Sequence, residues 1–496
     1  MELPRLFYHQ KPVLNIKIIF IFLFLNSVKI KLPVMNAMKR AMNESPTLRW
    51  VMLVLVSLAM FANYYFYDAL SPLKEQLQTR LGWSSANYGF FMSAYSIPNV
   101  FFAMAVIGGI ILDRLGIRLT GFMFIVFMVL GSAITAYGAS DMFLDGGPGY
   151  AFMDSIIPAY PPSLKMMALG FLLFGLGAET SIVVFTKAIV KWFKGKELAL
   201  ALGLNLAFGR LGMAAAMWIS PNLEANAEPW YLAIWFGTML LLIGLITFII
   251  YMFYDVKLDR QIKFELKLDE TEKFKFSDLG KLLTNRSFIF ITLLCVTFYS
   301  AVFPFVKYAP DLLVNKFGMN AELAGRITSI LPFGTILFTP LFGTYTDNKG
   351  KSASLMVWGS ILLIVVHLMF ALTTITPYVP MFLLGVAFSL IPAAMWPSVA
   401  KIVPENRLGT AYGLMFSIQN IGLWAFPMLI GKVLDISNPD VTPETLREGT
   451  AAYDYTNPIL MLTVLGLLGV LFAFLLKKED KVSGYGLEQP NKEDKK

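Results

Sequence analysis

The chain has 496 residues, of which 56% are hydrophobic and 15% are charged. Together with a mean hydropathy of +0.63, this composition excludes an ordinary water-soluble domain and indicates a membrane protein. The net charge of +8 does not predict a nucleic-acid partner, because the basic residues gather at helix ends on one side, as the positive-inside rule describes. One cysteine and two histidines exclude a disulfide framework and are too few for a metal site.

Residues 1–49 form a leader before the first long apolar stretch. Their apolar run, Ile18 to Leu25, is shorter than the roughly 17 residues that a membrane-spanning helix needs. We expect this leader to be cytoplasmic and without function. Either the native start is Met35 or Met38, or the segment is a helix lying on the membrane surface.

Twelve apolar stretches of spanning length follow, in two sets of six. They lie near 50–70, 88–110, 119–138, 164–188, 198–220 and 230–254, and then near 288–309, 323–345, 353–375, 380–400, 408–432 and 456–476. The pattern predicts an all-α membrane protein with twelve transmembrane helices in two pseudo-symmetric halves, 50–254 and 288–476. Residues 255–287 form a cytoplasmic linker and 477–496 a cytoplasmic tail.

A short motif occurs twice, once in each half, between two spanning stretches. The first copy contains Gly109, Asp113, Arg114, Gly116 and Arg118, and the weaker second copy contains Asp347 and Lys351. Each copy places an acid, a base and a turn glycine in one tight corner between helices. This corner resembles the signature loop of the major facilitator superfamily, and we expect it to act in structure and gating, by capping a helix end and locking one transport state.

Two charged residues are predicted deep in the membrane, where each costs about 2.5 to 3.5 kcal/mol. Glu179 lies twelve residues before Lys191, and Arg210 lies fourteen residues after Lys196, which places them about 18 and 21 Å from the cytoplasmic side. They could form a buried ion pair that orients two helices, or two poles of a polar substrate site. Small residues beside them let the two helices approach each other or leave room for a ligand: Gly175, Gly177, Gly203, Gly209 and Gly212.

Four further polar or aromatic residues are candidates for substrate binding, with alternatives open: Asp68, Lys307, Trp396 and Asn420. Asp68 lines a cavity or marks a helix end, and Lys307 lines the cavity or extends to the membrane interface. Asn420 stands in the second half where the first has Arg210, so charge at the centre is asymmetric. Trp396, followed by Pro397 and preceded by Pro392, would break the tenth helix and expose carbonyl groups, or the prolines serve packing alone.

Several segments together resemble one branch of the major facilitator superfamily, the lysosomal dipeptide transporters. The segments are Tyr67-Asp68, Tyr95 to Val100, Gly109 to Arg118, Gly175 to Glu179, Trp192 to Leu198, Arg210 to Gly212, Phe303 to Phe305, Ala394 to Pro397, Gly409 to Gly413 and Ser417 to Asn420. The resemblance implies a dipeptide carried by facilitated diffusion. It also implies that Glu179 meets the amino terminus and Arg210 the carboxylate, with Tyr95 among the binding residues.

We therefore expect an alternating-access transporter of small zwitterionic solutes, above all dipeptides, by facilitated diffusion or proton coupling. A carrier of small organic anions that uses Arg210 alone is the alternative, and a non-transporting receptor is a weaker one. Nucleotide-binding and nucleophile motifs are absent from the sequence, so we expect neither enzymatic activity nor a cofactor.

The expected partners are the lipid bilayer, a small-molecule substrate and, if transport is coupled, protons. We expect a monomeric multi-pass protein, in the cytoplasmic membrane of a bacterium or in the lysosomal membrane of a eukaryote.

Overall fold

The computed structural model describes residues 41–261 and 278–491, and within these ranges every regular element is helical. The predicted leader up to residue 40, the middle of the linker and residues 492–496 lie outside the described residues. Eleven helical stretches in the described part are long and apolar enough to cross a membrane. The second crossing brings the number to twelve, because it is built from shorter helices.

The first half has six crossings. Their helices are Pro46–Ala69; Ser85–Ala94 with Ile97–Phe102; Met104–Gly138; Pro162–Phe193; Leu198–Asn226; and Leu232–Gln261. Gly116, with φ 75° and ψ 170°, interrupts Met104–Gly138, so the residues before it complete the second crossing and those after it form the third. Only glycine adopts this backbone conformation without strain.

The second half has the same plan. Its helices are Arg286–Phe317; Ala321–Thr328 with Ile330–Lys349; Ser352–Leu372; Tyr378–Ile402; Leu408–Ser437; and Thr456–Ser483. Short helices connect the crossings or flank them: Met42–Glu44, Ser71–Leu73, Lys74–Leu81, Asp141–Leu144, Tyr150–Ser155, Leu279–Thr284, Glu405–Arg407 and Pro443–Arg447. The predicted all-α, twelve-helix fold is confirmed.

Two details differ from the sequence-based expectations. The tenth crossing stays helical through Pro392 and Pro397, which contradicts a break at Trp396 and agrees with the alternative that the prolines serve packing. The glycines of the fourth and fifth crossings do not bring those two helices together. A Cβ atom on Gly175 would lie 2.2 Å from the Tyr95 carbonyl oxygen, and one on Gly212 would lie 2.2 Å from that of Phe61.

The two ends of the bundle are named here by their contents. The motif end carries the two signature loops, and the far end carries the Lys74–Leu81 and Pro443–Arg447 helices. At the far end the two halves touch through their backbones. A Cβ atom on Gly89 would lie 2.3 Å from the Pro427 carbonyl oxygen, and one on Gly431 would lie 2.1 Å from that of Ser85.

Candidate functional site

Glu179 lies midway along the fourth crossing, and its carboxylate is held by the second crossing. The Tyr95 hydroxyl donates to Glu179 Oε1 at 2.9 Å. Asn99, four residues after Tyr95, lies on the same face of the broken second crossing. Glu179 itself is partly exposed, so the acid is fixed in position and remains accessible.

Arg210 lies midway along the fifth crossing, with its guanidinium between aromatic rings. Its Cζ atom is 5.8 Å from the ring centre of Tyr64 in the first half and 5.0 Å from that of Phe388 in the second half. Its Nη1 atom is buried without a hydrogen-bond partner. The arginine is therefore held by ring faces, and part of its hydrogen-bonding capacity is unused.

Glu179 and Arg210 do not form an ion pair. No contact within 4.0 Å joins their charged groups in the described structure, which excludes the first of the two alternatives, an ion pair that orients the helices. The site thus presents one acid and one arginine, separated, on two helices of the first half.

Tyr95, Trp396 and Asn420, three other predicted site residues, lie in the middle or on the motif side of the bundle. The Tyr95 ring packs 4.5 Å from Tyr67. Trp396 Nε1 donates to the Tyr299 hydroxyl at 3.1 Å. Asn420 Oδ1 accepts from Asn99 Nδ2 at 3.4 Å, and this contact joins the two halves.

Asp68 and Lys307 form an ion pair between the halves, on the far side of the polar poles. Lys307 Nζ lies 2.6 Å from Asp68 Oδ1 and 3.3 Å from the ring centre of Tyr67. Asp68 is 1% exposed and Lys307 is 3% exposed. The expectation that Lys307 extends to the interface is wrong, because its ammonium finds a carboxylate inside the bundle.

At the motif end, the first signature loop is anchored to the sixth crossing. Arg118 Nη1 donates to Asp255 at 2.9 Å and contacts Asp259, and Lys191 Nζ lies 2.8 Å from Asp255. Asp113 and Arg114 are exposed beside Gly116, and a Cβ atom on Gly109 would meet open space.

The second signature loop is covered by the chain's own C-terminal residues. Asp347 Oδ1 accepts from Asn491 Nδ2 at 3.2 Å, and Lys351 Nζ lies 3.9 Å from Glu488. The backbone of this loop is bound as well, because the Lys351 N–H donates to the Glu488 carbonyl oxygen at 3.0 Å.

Some residues that the structure places around the candidate site or the first signature loop were missed by the sequence analysis. Asn99 and Tyr64 carried a usable signal, because each is a polar residue within an apolar stretch and lies inside or beside a noted segment. Phe388 carried none, because a phenylalanine in an apolar helix is ordinary. Asp255 was assigned to the linker, whereas the sixth crossing continues to Gln261.

Metal coordination has no support within the described residues, which contain no group of three or more His, Cys, Asp or Glu side chains able to hold an ion. Cys295 is buried and lies 3.4 Å from Gln419 Oε1.

Comparison with known proteins identifies the relatives of this chain. The family model described as Major Facilitator Superfamily matches residues 56–427. The lysosomal dipeptide transporter MFSD1 of Mus musculus is 33% identical over 399 residues, covering 78% of this chain and 80% of the relative. For the Homo sapiens protein of the same name the identity is 31% over 397 residues, with coverage of 78% and 80%. The crystal structure of the nucleoside transporter NupG aligns with a TM-score of 0.62 at 16% identity, covering 86% of this chain and 99% of that one, a likeness of fold alone.

Proposed function

Since the chain belongs to the major facilitator superfamily, a family of multi-pass membrane transporters, we propose that it carries small zwitterionic solutes, with dipeptides as the first candidate. In this proposal Glu179 binds the substrate's ammonium group and Arg210 binds its carboxylate. The two halves then rock about this site in alternating access.

The observation that carries the proposal is the unused hydrogen-bonding capacity of Arg210. A buried N–H group without a partner costs about 1 to 3 kcal/mol, and Arg210 Nη1 has none. A planar guanidinium matches a carboxylate with two parallel hydrogen bonds. A substrate carboxylate at this position would supply the missing partner.

The separate acid supports a zwitterion rather than a simple anion. Glu179 has no cation within ion-pairing distance in the described structure and is partly exposed, so its charge is available to an ammonium group. An extended dipeptide separates its charged ends by about 7 Å, a span that two side chains on neighbouring helices can bracket. The relatives named as dipeptide transporters support the same substrate class.

The test is counterflow of a labelled dipeptide in proteoliposomes, for the native protein, Arg210→Ala and Glu179→Gln. We expect each variant to lose about tenfold or more in apparent affinity, as the loss of a hydrogen bond to a charged group predicts. Arg326→Ala is the matched control, because Arg326 is an exposed arginine that pairs with Glu322 on its own helix.

The same experiment separates the coupling modes. Uptake that ignores a proton gradient supports facilitated diffusion, and uptake driven by the gradient supports proton symport with Glu179 as the titrating group. Absence of dipeptide counterflow by the native protein would overturn the peptide proposal.

A carrier of small organic anions is the second candidate, and one contact favours it. The hydrogen bond from Tyr95 partly satisfies Glu179, so the acid could be structural while Arg210 alone binds substrate. Glu179→Gln discriminates between the two: it should weaken binding of a zwitterion about tenfold or more, whereas an anion carrier should keep most of its activity.

A further inference from the structure

The side-chain amide of Asn99, on the crossing that contacts Glu179 through Tyr95, has one atom without a hydrogen-bond partner. Asn99 is 1% exposed, and its Oδ1 atom is buried without a hydrogen-bond partner. The other end of the same amide is engaged: Nδ2 donates to Asn420 Oδ1 at 3.4 Å. Tyr95, four residues earlier on the same crossing, donates to Glu179 Oε1 at 2.9 Å. The Nδ2 atom of Asn99 thus holds the amide in place, whereas its Oδ1 atom has no hydrogen-bond donor.

An unpaired buried acceptor costs free energy. We therefore expect a hydrogen-bond donor of the substrate to bind to it. Tyr95 and Asn99 are four residues apart and so share one face of the second crossing. A group that binds Glu179 beside the Tyr95 hydroxyl is therefore placed on the face that carries the Asn99 amide. A primary ammonium group has three N–H donors, enough to serve the carboxylate and this oxygen together.

We infer that Asn99 is a specificity-determining residue that accepts a hydrogen bond from the substrate's amino group and selects substrates with N–H donors there. This inference rests on the proposed function, since it places the ammonium group at Glu179. It goes further by defining the substrate class: solutes with a free primary amine, preferred over those whose amine is fully methylated. A quaternary amine keeps the positive charge that Glu179 attracts but offers no hydrogen to Asn99.

The experiment measures competition against counterflow of a labelled dipeptide, using one dipeptide with a free amine and the same dipeptide with a trimethylated amine. The quantity compared is the ratio of their inhibitory concentrations. We expect the native protein to prefer the free amine by about tenfold or more. In Asn99→Leu, which removes the acceptor at similar volume, this ratio should fall to about threefold or less.

Two further variants make the result decisive. Asn99→Asp keeps an acceptor oxygen and should retain the native preference even if Asn99→Leu does not fold. Asn205→Ala removes a buried asparagine that donates to Ser57 within the first half, and it should leave the ratio unchanged.

The outcomes separate this inference from the proposed function. An unchanged ratio in Asn99→Leu, or a lost preference in Asn99→Asp, would show that Asn99 only supports the fold and would overturn the inference. If the native protein is not inhibited by the free-amine dipeptide, the proposed function itself fails. If it is inhibited equally by both peptides, the dipeptide proposal stands and the Asn99 inference falls.

Discussion

At the scale of single residues, Arg210 is held in place by the faces of two aromatic rings and not by an acidic side chain. Tyr64 and Phe388 face its guanidinium from the two halves, and each cation–π contact contributes about 0.5 to 2 kcal/mol. These contacts offset part of the cost of burying a charge without neutralising it. Arg210 therefore keeps its attraction for a carboxylate.

The geometry of Arg210 predicts that a lysine cannot replace it. Arg210→Lys keeps the charge but loses the bidentate fork and the guanidinium that lies 5.0 Å from the Phe388 ring centre. We expect the apparent affinity for a dipeptide to fall about tenfold or more, measured by competition in the counterflow assay. Arg326→Lys, at an exposed position, is the control. Native affinity in Arg210→Lys would show that only the charge matters.

The sequence places Glu179 and Arg210 within membrane-spanning helices but does not predict their surroundings. Glu179 and Arg210 were found because an ionised residue inside a membrane has few explanations. Their separation was not predictable, because it depends on the rotations of two helices. Nor was the role of Phe388, which meets Arg210 only when the halves come together.

At the scale of elements, the C-terminal residues act as a clasp on the second signature loop. The Ser352 N–H donates to the Leu487 carbonyl oxygen at 3.0 Å. Glu488 accepts from the Ser354 backbone N–H at 2.8 Å and from its hydroxyl. This segment satisfies the N–H groups that the first turn of the ninth crossing leaves unpaired. The C-terminal residues up to Asn491 are therefore packed against the second signature loop.

Removing the clasp should loosen this loop. Deletion of residues 484–496 should speed amide hydrogen exchange in residues 346–356 by about tenfold or more, as the loss of about 1 to 3 kcal/mol predicts. Glu488→Gln should have a smaller effect in the same direction. Glu479→Gln is the control, because Glu479 contacts Ser483 on its own helix. Unchanged protection after the deletion would contradict a stabilising role for the clasp.

The two prolines of the tenth crossing show why the ends of a helix cannot always be predicted from the sequence. Pro392 and Pro397 lie inside the continuous helix Tyr378–Ile402, although each removes a backbone donor. Whether proline breaks a helix depends on what packs around it. The signature loops, in contrast, were predictable, because Gly116 requires a positive φ angle that the local sequence alone indicates.

At the scale of the whole molecule, the halves are closed against each other at the far end. Besides Asp68 and Lys307, Lys74 Nζ lies 2.8 Å from Asp311 in the opposite half, and Asp435 accepts from the Ser85 N–H at 2.9 Å. These contacts are polar and mostly buried. Water would solvate the same groups once the far end opened, so closure depends on keeping every charge paired.

A buried tyrosine adds to this closure. Gln78 Nε2 in the first half donates to the Tyr453 hydroxyl in the second at 2.8 Å. Burial raises the pKa of Tyr453 to about 12, so its phenol stays neutral at pH 7 and accepts this bond without introducing a charge.

The paired charges predict how one substitution changes the conformational equilibrium. Lys307→Met leaves Asp68 buried and unpaired in the closed form, at a cost of about 3 to 5 kcal/mol. Opening the far end would hydrate Asp68 and relieve this cost. We therefore expect the open population to rise by about 100-fold or more relative to the closed one. Spin labels at the exposed positions Arg80 and Glu448 would report this as a longer distance by pulsed electron resonance, with Cys295 replaced by alanine.

Two comparison variants decide whether the unpaired charge is the cause. Lys316→Met removes a lysine from the same helix that donates to the Phe370 carbonyl oxygen within its own half, and it should leave the distance distribution unchanged. Adding Asp68→Asn to Lys307→Met removes the lone charge, so the closed population should recover, because replacing both members of a buried pair is close to neutral. A double variant as open as Lys307→Met would instead mean that the pair itself, and not the avoidance of a lone charge, keeps the far end closed.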